Sequence, residues 1–406
     1  MVLNGIFGAL AALSLLLLLW QWLAARRFPL HQRRVQPALA FGTQDAAAAA
    51  PHPGVTLLKP LKGADAHTEK CLRSWLQQAY SGPVQALFGV ADASDPACAL
   101  VQRLMAEHPR TTAQLVVCDA RAGANAKVSK LIQLEQLAEH ELICVSDADV
   151  CVPPDFLADA VAAFGPSPTP AAAPVALLNC FYRLANPATL AMHCEAVAIN
   201  ADFWSQVLQS VSLKPMDFAL GAVMLTRRGE LAGLGGFAAI KDCLADDYQL
   251  GHRIAQRGGR IALSPVVVEC WDAPAGWAAV WKHQLRWART IRVCQPVPYF
   301  FSLLSNPTLW PALWAAVSGT RTALGFLGTA FLVRLMVTAD LQRRLAGDRP
   351  ESDAAADRPP IVRYCWLAPF KDVLQVGVWL LAFLGNTIEW RGRRMKLRRD
   401  GTLIPA

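Results

Sequence analysis

Two carboxylates separated by a single residue, Asp147 and Asp149, lie just after the apolar run 142–145. Such a short continuous apolar run is typical of a strand that is buried on both faces of a parallel sheet. Ligands of open α/β sheets bind beyond the carboxyl ends of strands, and oxygen ligands there suit a hard divalent cation that grips a substrate diphosphate. The pattern predicts a Mg²⁺ or Mn²⁺ site. The simpler alternative is that Asp149 caps a helix that begins near Pro153.

Other carboxylates occupy positions that a ligand can reach. Asp92 follows the strand predicted over 85–90 and is a natural hydrogen-bond acceptor for a ribose or a base. Asp246 and Asp247 lie at the start of a helix predicted to end near 257, where carboxylates in the first turn are also stabilised by the helix dipole. Because no G-x-G-x-x-G follows the first predicted strand, a dinucleotide cofactor is not expected.

The elements that must position these carboxylates alternate along the chain. Thr68 is predicted to cap the first helix after the first strand. Strands are predicted over 55–58, 85–90, 114–118, 142–145, 174–182, 221–228 and 260–268, and helices over 68–79, 96–108, 128–140, 189–208 and 242–257. Strands that alternate with helices of 10 to 15 residues indicate βαβ units, an α/β fold and a mostly parallel sheet.

The apolar residues are concentrated at the two ends of the chain. The 406 residues are 54% hydrophobic and 17% charged, with a net charge of +8. Segment 5–25 is long enough to span a bilayer, and the arginines from Arg26 to Arg34 predict a signal anchor with its N-terminus outside and the next domain in the cytoplasm. No basic face interleaved with aromatic residues occurs, so nucleic acid is not an expected partner. Eleven cysteines without a C-x-x-C pair indicate reduced thiols.

Apolar segments after residue 297 predict further membrane elements. Segments 298–317 and 322–338 predict a helical hairpin, with the charge of Arg334 reaching the interface by snorkelling. Segment 366–390 contains a lysine and an aspartate, at positions 371 and 372, and burying each in mid-bilayer costs about 2.5–3.5 kcal/mol. Because a basic tail follows, we expect this segment to be interfacial or re-entrant, which leaves three spans and a cytoplasmic C-terminus.

Six short motifs occur in order along the chain. They are VTLLKPLKG from Val55, VADASDPA from Val90, NAK from Asn125, SDAD from Ser146, ADDY from Ala245 and QLRW from Gln284. Together they resemble the ceramide glucosyltransferase family of inverting membrane glycosyltransferases (family 21, similar to family 2). The segments CLADDY and LRWARTIR, from Cys243 and Leu285, also resemble the bacterial hopanoid-glycosyltransferase branch.

The resemblance implies a nucleotide-sugar-binding, Rossmann-like domain of the GT-A type that transfers one sugar from a UDP-sugar to a lipid hydroxyl. In the family pattern Asp92 holds the nucleoside, Asp147 and Asp149 approach the ribose and the metal-bound diphosphate, and Asp247 is the general base. The implied substrate-binding residues are Lys59, Asp92, Asn125, Lys127, Asp147 and Gln284. The implied catalytic residues are Asp247, Asp246, Arg286, Trp287 and His283, and the implied metal ligands are Asp149 and Asp147.

The chemistry of direct displacement agrees with these roles. A base on the acceptor side and a charge sink for the departing UDP are both required. Asp247 can take the hydroxyl proton, while a divalent ion and the Arg286 guanidinium can stabilise the diphosphate. His283 departs from the family pattern, which usually has Gln or Arg there, and this tilts the acceptor toward hopanoids without deciding it.

Four functions are therefore compared. Transfer of glucose from UDP-glucose to ceramide is favoured, and transfer from UDP-N-acetylglucosamine to a bacteriohopanetetrol-type hopanoid is the alternative. A polysaccharide synthase would need more spans, and a non-catalytic scaffold would have lost one of the four key side chains, which are all present. The predicted division is an anchor over 1–28, a linker over 29–54, a cytoplasmic catalytic domain over 55–296, a hairpin over 297–340, a basic loop over 341–365, and an interfacial helix with a basic tail over 366–406, in a bacterial inner membrane.

Overall fold

The computed structural model describes residues 2–34, 52–165, 173–347, 361–390 and 393–405. Most of the predicted linker (29–54) and of the predicted basic loop (341–365) lies outside these residues. The chain forms two compact units. The sheet unit comprises His31–Asn186 and Pro215–Ala273, and the helical unit comprises Met1–Leu30, Pro187–Lys214 and Pro274–Ala406.

Helices and strands alternate in the sheet unit, as the sequence predicts. The helices are α1 (Val2–Arg27), α2 (Thr68–Leu76), α3 (Ala97–Glu107), α4 (Ala126–Gln136), α5 (Phe156–Ala162), α6 (Leu190–Val197), α7 (Trp204–Val211), α8 (Arg228–Gly233), α9 (Asp246–Gln256), α10 (Trp277–Cys294), α11 (Pro296–Phe301), α12 (Leu309–Ser318), α13 (Arg321–Ala346) and α14 (Ala368–Phe383). The strands are β1 (Val55–Pro60), β2 (Val84–Val90), β3 (Thr112–Val117), β4 (Leu142–Ser146), β5 (Val150–Cys151), β6 (Val175–Leu184), β7 (Val223–Arg227), β8 (Arg260–Cys270), β9 (Thr387–Trp390), β10 (Arg393–Leu397) and β11 (Leu403–Pro405).

A mixed sheet is the centre of the sheet unit. Among the described residues its strand order is β3-β2-β1-β4-β7-β6-β8-β5. Strands β1 to β4 pair in parallel, as predicted, and β6 pairs in parallel with β8. Strand β7 is antiparallel to both β4 and β6, and β5 is antiparallel to β8. The expectation of a mostly parallel sheet therefore holds for the first half of the unit but not for the second.

The central strands are buried because apolar side chains cover both of their faces. Every residue of β1 and β4 is buried, which is the pattern of a strand between two helical layers. Helix α2 is amphipathic and turns Leu72, Trp75 and Leu76 toward this core. The carboxyl ends of β1, β2 and β4 therefore meet at one edge of the sheet, where the predicted carboxylates follow.

Two capping predictions need correction. Asp65, rather than Thr68, accepts hydrogen bonds at the start of α2, from the backbone N–H groups of His67 at 2.9 Å and Thr68 at 2.8 Å. Helix α5 begins three residues later than Pro153, with Asp155 at its N-cap position. Asp149 is therefore not the cap of this helix, and the simpler interpretation of its carboxylate is wrong.

Three described helices are long and apolar enough to cross a membrane. They are Val2–Arg27, Arg321–Ala346 and Arg363–Phe383. The first of these agrees with the predicted anchor. Which helices cross, and in which direction, stays a prediction, because these helices are distinguished by length and composition alone.

The first arm of the predicted hairpin is not one helix. Segment 298–317 is divided into α11, a 3₁₀ turn (Ser302–Ser305) and α12. The Asn306 side chain ends the turn and accepts hydrogen bonds from the backbone N–H groups of Thr308 and Leu309, at 3.1 and 2.8 Å. Helix α12 has ten residues, so it rises only about 15 Å, roughly half of a hydrocarbon core. The second arm is longer than predicted and runs to Ala346.

The charges predicted to lie at the membrane surface are instead buried inside the helical unit. Arg334 is 1% exposed, so it does not snorkel. Its guanidinium forms two hydrogen bonds with Asp202, at 2.7 and 2.9 Å, and two with Asp372, at 2.8 and 3.0 Å. Lys371 contacts the same two carboxylates, at 2.5 and 3.0 Å. The cost assigned to isolated charges at 371 and 372 therefore does not apply, because the partners compensate each other.

The end of the chain also differs from the prediction. Helix α14 ends at Phe383 rather than near 390, and the described part of the tail forms an antiparallel sheet of order β11-β10-β9. The basic residues of this tail are thus held in strands, at least over 393–397.

Helix α9 packs so closely that one position admits only glycine. A Cβ atom on Gly251 would lie 2.3 Å from the backbone nitrogen of Ala219 and 2.6 Å from the carbonyl carbon of Phe218. We expect Gly251→Ala to lower the free energy of unfolding by about 1–3 kcal/mol, because backbone must move to admit the methyl group. Thermal unfolding of the detergent-solubilised protein measures this. Gly229→Ala in α8 is the matched control, since nothing lies within 4 Å of its Cβ position. Equal unfolding temperatures for both variants would contradict the packing argument.

Candidate active site

The Asp147–Asp149 turn joins β4 to β5 at the carboxyl end of the central strand, where the sequence predicted it. Neighbouring strands fix its backbone on both sides. The Asp147 N–H donates to the Ala222 carbonyl at 3.4 Å, and the Trp271 N–H donates to the Asp149 carbonyl at 3.0 Å. Both carboxylates are partly exposed. The turn therefore presents two acidic side chains at the edge of the sheet.

Lys59 lies beneath this turn. Its side chain is fully buried, donates to the Asp147 carbonyl, and lies 3.2 Å from the Ser146 hydroxyl. Burial lowers the pKa of Lys59 to about 8, against the opposing effect of the nearby carboxylates. The structure thus gives Lys59 a supporting position under the turn, and its contact with substrate stays a prediction.

Lys127 connects the turn to helix α9. Its ammonium group lies 2.8 Å from Asp147 Oδ1 and 2.9 Å from Asp246 Oδ2, and the side chain is 9% exposed. Burial alone would lower the pKa of Lys127, but the two carboxylates outweigh burial and raise it. The lysine therefore stays charged and holds two acidic residues that are distant in the sequence.

Asn125 positions this lysine. Its side-chain oxygen caps α4 by accepting from the backbone N–H groups of Lys127 and Val128, at 2.9 and 3.2 Å. Its amide nitrogen donates to the Cys243 carbonyl at 2.8 Å. Because Asn125 is fully buried, the structure gives it a role in joining α4 to the loop before α9. The predicted contact with substrate has no support from this position.

The two adjacent aspartates at the start of α9 have different surroundings. Asp246 is 7% exposed and forms the ion pair with Lys127. Asp247 is partly exposed, and the backbone N–H of Tyr248 donates to its carboxylate at 2.8 Å. Burial and the charge of Asp246 raise the pKa of Asp247 to about 6, against the opposing charge of Lys127. Asp247 therefore has the properties of a base that works near neutral pH.

Sequence reasoning missed two neighbours of Asp247 in the sheet unit. A Cβ atom on Gly221 would lie 2.7 Å from Oδ2 of Asp247, so this glycine leaves the space that the carboxylate occupies. Burial raises the pKa of the Tyr182 hydroxyl well above its ordinary value, and the charges of Asp247, Asp149 and Asp147 add to this effect. Nothing in the sequence distinguishes Tyr182 from an ordinary residue of a strand, whereas a glycine just before a strand was a usable signal.

Asp149 is the carboxylate that best fits a cation. Burial, followed by the charges of Asp147 and Asp272, raises the pKa of Asp149 to about 7. Such crowding of negative charge is relieved by a divalent ion. No group of three His, Cys, Asp or Glu side chains with metal-binding geometry occurs in the described ranges. Asp147 and Asp149 therefore fit an ion that takes its other ligands from a diphosphate and water, as Mg²⁺ commonly does.

Asp92 lies at the exposed end of β2. Its carboxylate accepts from the backbone N–H and the hydroxyl of Ser94, both at 2.8 Å. These hydrogen bonds lower its pKa. The remaining oxygen capacity of Asp92 is open to solvent, as a role in binding a nucleoside requires.

The QLRW motif lies in the helical unit, on α10. Glu195, which is 6% exposed, accepts from His283 Nδ1 at 2.7 Å and from Gln284 Nε2 at 2.9 Å. The His283 ring also packs edge-on against Trp287, with centroids 4.7 Å apart. Arg286 is partly buried on the same helix. Sequence reasoning missed Glu195, although one acidic residue within an apolar helix was a signal for a buried polar contact.

Comparisons with known proteins agree with this architecture. A mannosyltransferase from Pyrobaculum calidifontis, solved in complex with GDP-mannose and Mn²⁺, has a similar fold: the TM-score is 0.50 at 21% identity, over 93% of this chain and 99% of that one. The GT-A type fold predicted from the sequence is thereby confirmed.

The family follows from the sequence comparisons. The model of glycosyl transferase family 21 matches residues 8–403, so the chain belongs to that family. Ceramide glucosyltransferase 1 of Caenorhabditis elegans is 23% identical over 86% of this chain and 73% of its own length. Ceramide glucosyltransferase of Candida albicans is 31% identical over 27% of this chain, and the chain covers only 22% of that protein. The predicted family is confirmed, as is the class of enzyme, a UDP-sugar-dependent glycosyltransferase associated with the membrane.

The surroundings of Asp247 predict the pH dependence of sugar transfer. A general base must be deprotonated, so kcat/KM should rise with pH and level off above about pH 6. Because the charge of Lys127 lowers the pKa of Asp247, Lys127→Met should move this acidic limb to higher pH. Profiles measured at saturating divalent metal separate this effect from the titration of Asp149. Arg103→Met, which removes an exposed ion pair with Glu69, is the control. An unmoved limb in Lys127→Met would contradict the assignment.

Proposed function

We propose that the protein transfers one glucose unit from UDP-glucose to the primary hydroxyl of ceramide, with inversion at the anomeric carbon. The relatives named above support the acceptor and the sugar. The observation that carries the proposal is the contrast between the two carboxylates at the start of α9. Asp246 is neutralised by Lys127 at 2.9 Å, whereas Asp247 has a raised pKa of about 6 and is the carboxylate able to take a proton.

The proposed reaction is a single displacement. Asp247 removes the proton of the acceptor hydroxyl as that oxygen attacks the anomeric carbon. The new bond between carbon and the acceptor oxygen forms while the bond to the diphosphate oxygen breaks, and UDP leaves with the electron pair. Inversion follows because attack and departure occur on opposite faces of the sugar. One base is sufficient, in contrast to the two carboxylates of glycoside hydrolases.

The other side chains bind and orient the donor. Asp92 accepts a hydrogen bond from the nucleoside, and the Arg286 guanidinium offsets the charge of the departing diphosphate. Trp287 and His283 shape the same face of α10, which Glu195 holds through His283 and Gln284. Asp147 and Asp149 would hold Mg²⁺ or Mn²⁺, which supplies positive charge to the diphosphate when bound.

A lipid acceptor agrees with the composition of the helical unit. Helices α1 and α13 are long and apolar enough to cross a bilayer, and Arg26 and Arg27 form the last turn of α1. The excess of positive charge beside the first span supports an N-terminus outside and a cytoplasmic catalytic domain. We propose the same orientation in a bacterial inner membrane.

Asp247→Asn tests the base. We expect turnover to fall by about 10²–10⁴-fold, because the amide cannot accept the proton, while UDP binding remains close to that of the wild type. Transfer is measured with labelled UDP-glucose and ceramide in detergent, and binding by titration with UDP. Asp400→Asn, at an exposed turn, is the control. Retention of more than about a tenth of wild-type turnover would exclude Asp247 as the base.

The same assay, combined with lipid mass spectrometry, tests the acceptor. Lipids extracted from cells with and without the gene should differ by a glucosylated ceramide. A new N-acetylglucosaminyl derivative of a polyhydroxylated hopanoid would instead favour the alternative acceptor. A long glycan with repeated sugars would contradict single transfer.

Removal of divalent metal tests the role of the acidic turn. Activity should be lost in excess EDTA and restored by Mg²⁺ or Mn²⁺, because Asp147 and Asp149 carry uncompensated charge. Asp149→Ala should weaken the binding of UDP as well as turnover, unlike Asp247→Asn. Full activity in EDTA would contradict the metal assignment.

A further inference from the structure

A cavity of about 140 Å³ lies within the helical unit, away from the residues of the sheet unit. Its wall includes residues of α1, α13 and α14, which also supply the helices that are long and apolar enough to cross a membrane. The opposite part of the wall comes from α10 and includes Gln284 and Trp287 of the QLRW motif. The cavity is therefore bordered both by helices that contact lipid and by the helix that carries family motif residues.

The volume of this cavity limits what it can hold. A cavity of about 150 Å³ accommodates one benzene molecule. A sugar nucleotide is several times larger, and so is a complete lipid. The head of a lipid, with a few hydroxyl or amide groups, fits this volume if its chains remain among the surrounding helices.

The charges in the wall favour an uncharged head. Asp202, Arg334, Lys371 and Asp372 all line the cavity, and their two positive and two negative charges are paired with one another. Such a set offers hydrogen bonds but no excess charge. An anionic head group would meet no uncompensated cation here and would lie beside two carboxylates.

One polar group in the wall has a hydrogen bond still to make. Tyr299 is 5% exposed, and its hydroxyl is buried with no hydrogen-bond partner in the described part of the chain. A buried hydroxyl without a partner is costly. The carbonyl of the same residue accepts from Trp379 Nε1 at 3.0 Å, so Tyr299 is held in place beside the cavity. A polar atom of a ligand would satisfy the hydroxyl.

We propose that this cavity binds the uncharged, hydroxylated head of the acceptor lipid, with Tyr299 as a hydrogen-bond partner. The proposal deepens the proposed function and rests on it for the identity of the lipid. The apolar chains remain among the membrane helices, and the polar head reaches the cavity beside Gln284 and Trp287. The paired charges of Arg334 and Lys371 keep the polar end of the cavity open, because neither pair can collapse onto an unpaired charge.

Kinetics of the full-length protein in detergent provide the first test. Tyr299→Phe removes one hydroxyl, and we expect the KM for a short-chain ceramide to rise about two- to tenfold, the effect of one neutral hydrogen bond. The KM for UDP-glucose should not change. Tyr364→Phe, a tyrosine of the same unit that stacks on His193, is the matched control. Ala288→Leu, which places a larger side chain in the wall, should raise the ceramide KM further.

Binding without turnover provides the second test. Isothermal titration of short-chain ceramide into the protein should show weaker binding to Tyr299→Phe and Ala288→Leu, with thermal unfolding used to confirm that each variant is folded. Short-chain phosphatidic acid is the anionic comparator and should bind less well than ceramide. Equal ceramide binding and equal ceramide KM in wild type and both variants, or a preference for phosphatidic acid, would overturn the proposal.

The outcomes separate this proposal from the proposed function. If the wild type transfers no sugar to ceramide but binds it in a manner that depends on Tyr299, the proposed reaction fails and the cavity assignment stands. If ceramide is glucosylated and neither variant changes its KM or its binding, the cavity assignment fails and the reaction stands.

Discussion

One buried ammonium group determines the arrangement of the acidic residues in the sheet unit. Lys127 contacts Asp147 and Asp246 at once, although these residues follow β4 and begin α9. Without it, acidic side chains would face one another in a partly buried space, at a cost that grows as water is excluded. Its placement also makes two neighbouring aspartates unlike each other, since one is paired and the other keeps a raised pKa of about 6. The division of labour at α9 depends on this single pairing.

The helical unit solves a related problem by a balanced set of charges. Arg334 and Lys371 share the carboxylates of Asp202 and Asp372, and Thr308 adds a hydrogen bond of 2.7 Å to Asp372. These groups come from four parts of the chain. Charged residues in an apolar helix therefore need not signal proximity to the membrane surface. They also fix how the helices align, because a shift along any helix would separate partners that have no water to replace them.

The sequence predicted the elements well where the information is local. Apolar runs located β1 to β4, and a glycine or a carboxylate after a strand indicated where ligands approach. Prediction failed where a distant residue decides the outcome. Arg334 was assigned to the interface because its partners are 38 and 132 residues away, and Asn125 was assigned to substrate because its cap on α4 and its contact with Cys243 depend on the fold. The break at Asn306 was missed because hydropathy does not register one side chain that ends a helix.

The π-helical turn Ala198–Phe203, which joins α6 to α7, limits how this chain can change in length. A π turn contains one residue more than an α turn, so it behaves as an insertion that the fold has retained. Loss of one residue there would restore a regular helix and rotate α7 by about 100° relative to α6. Asp202 lies in the turn, and α7 is joined to α1 by hydrogen bonds from Gln21 to Gln209 at 3.1 Å and from Trp20 to Ser212 at 3.2 Å. Homologous chains that keep these contacts should therefore align through this segment without gaps, even where the identities of the residues differ.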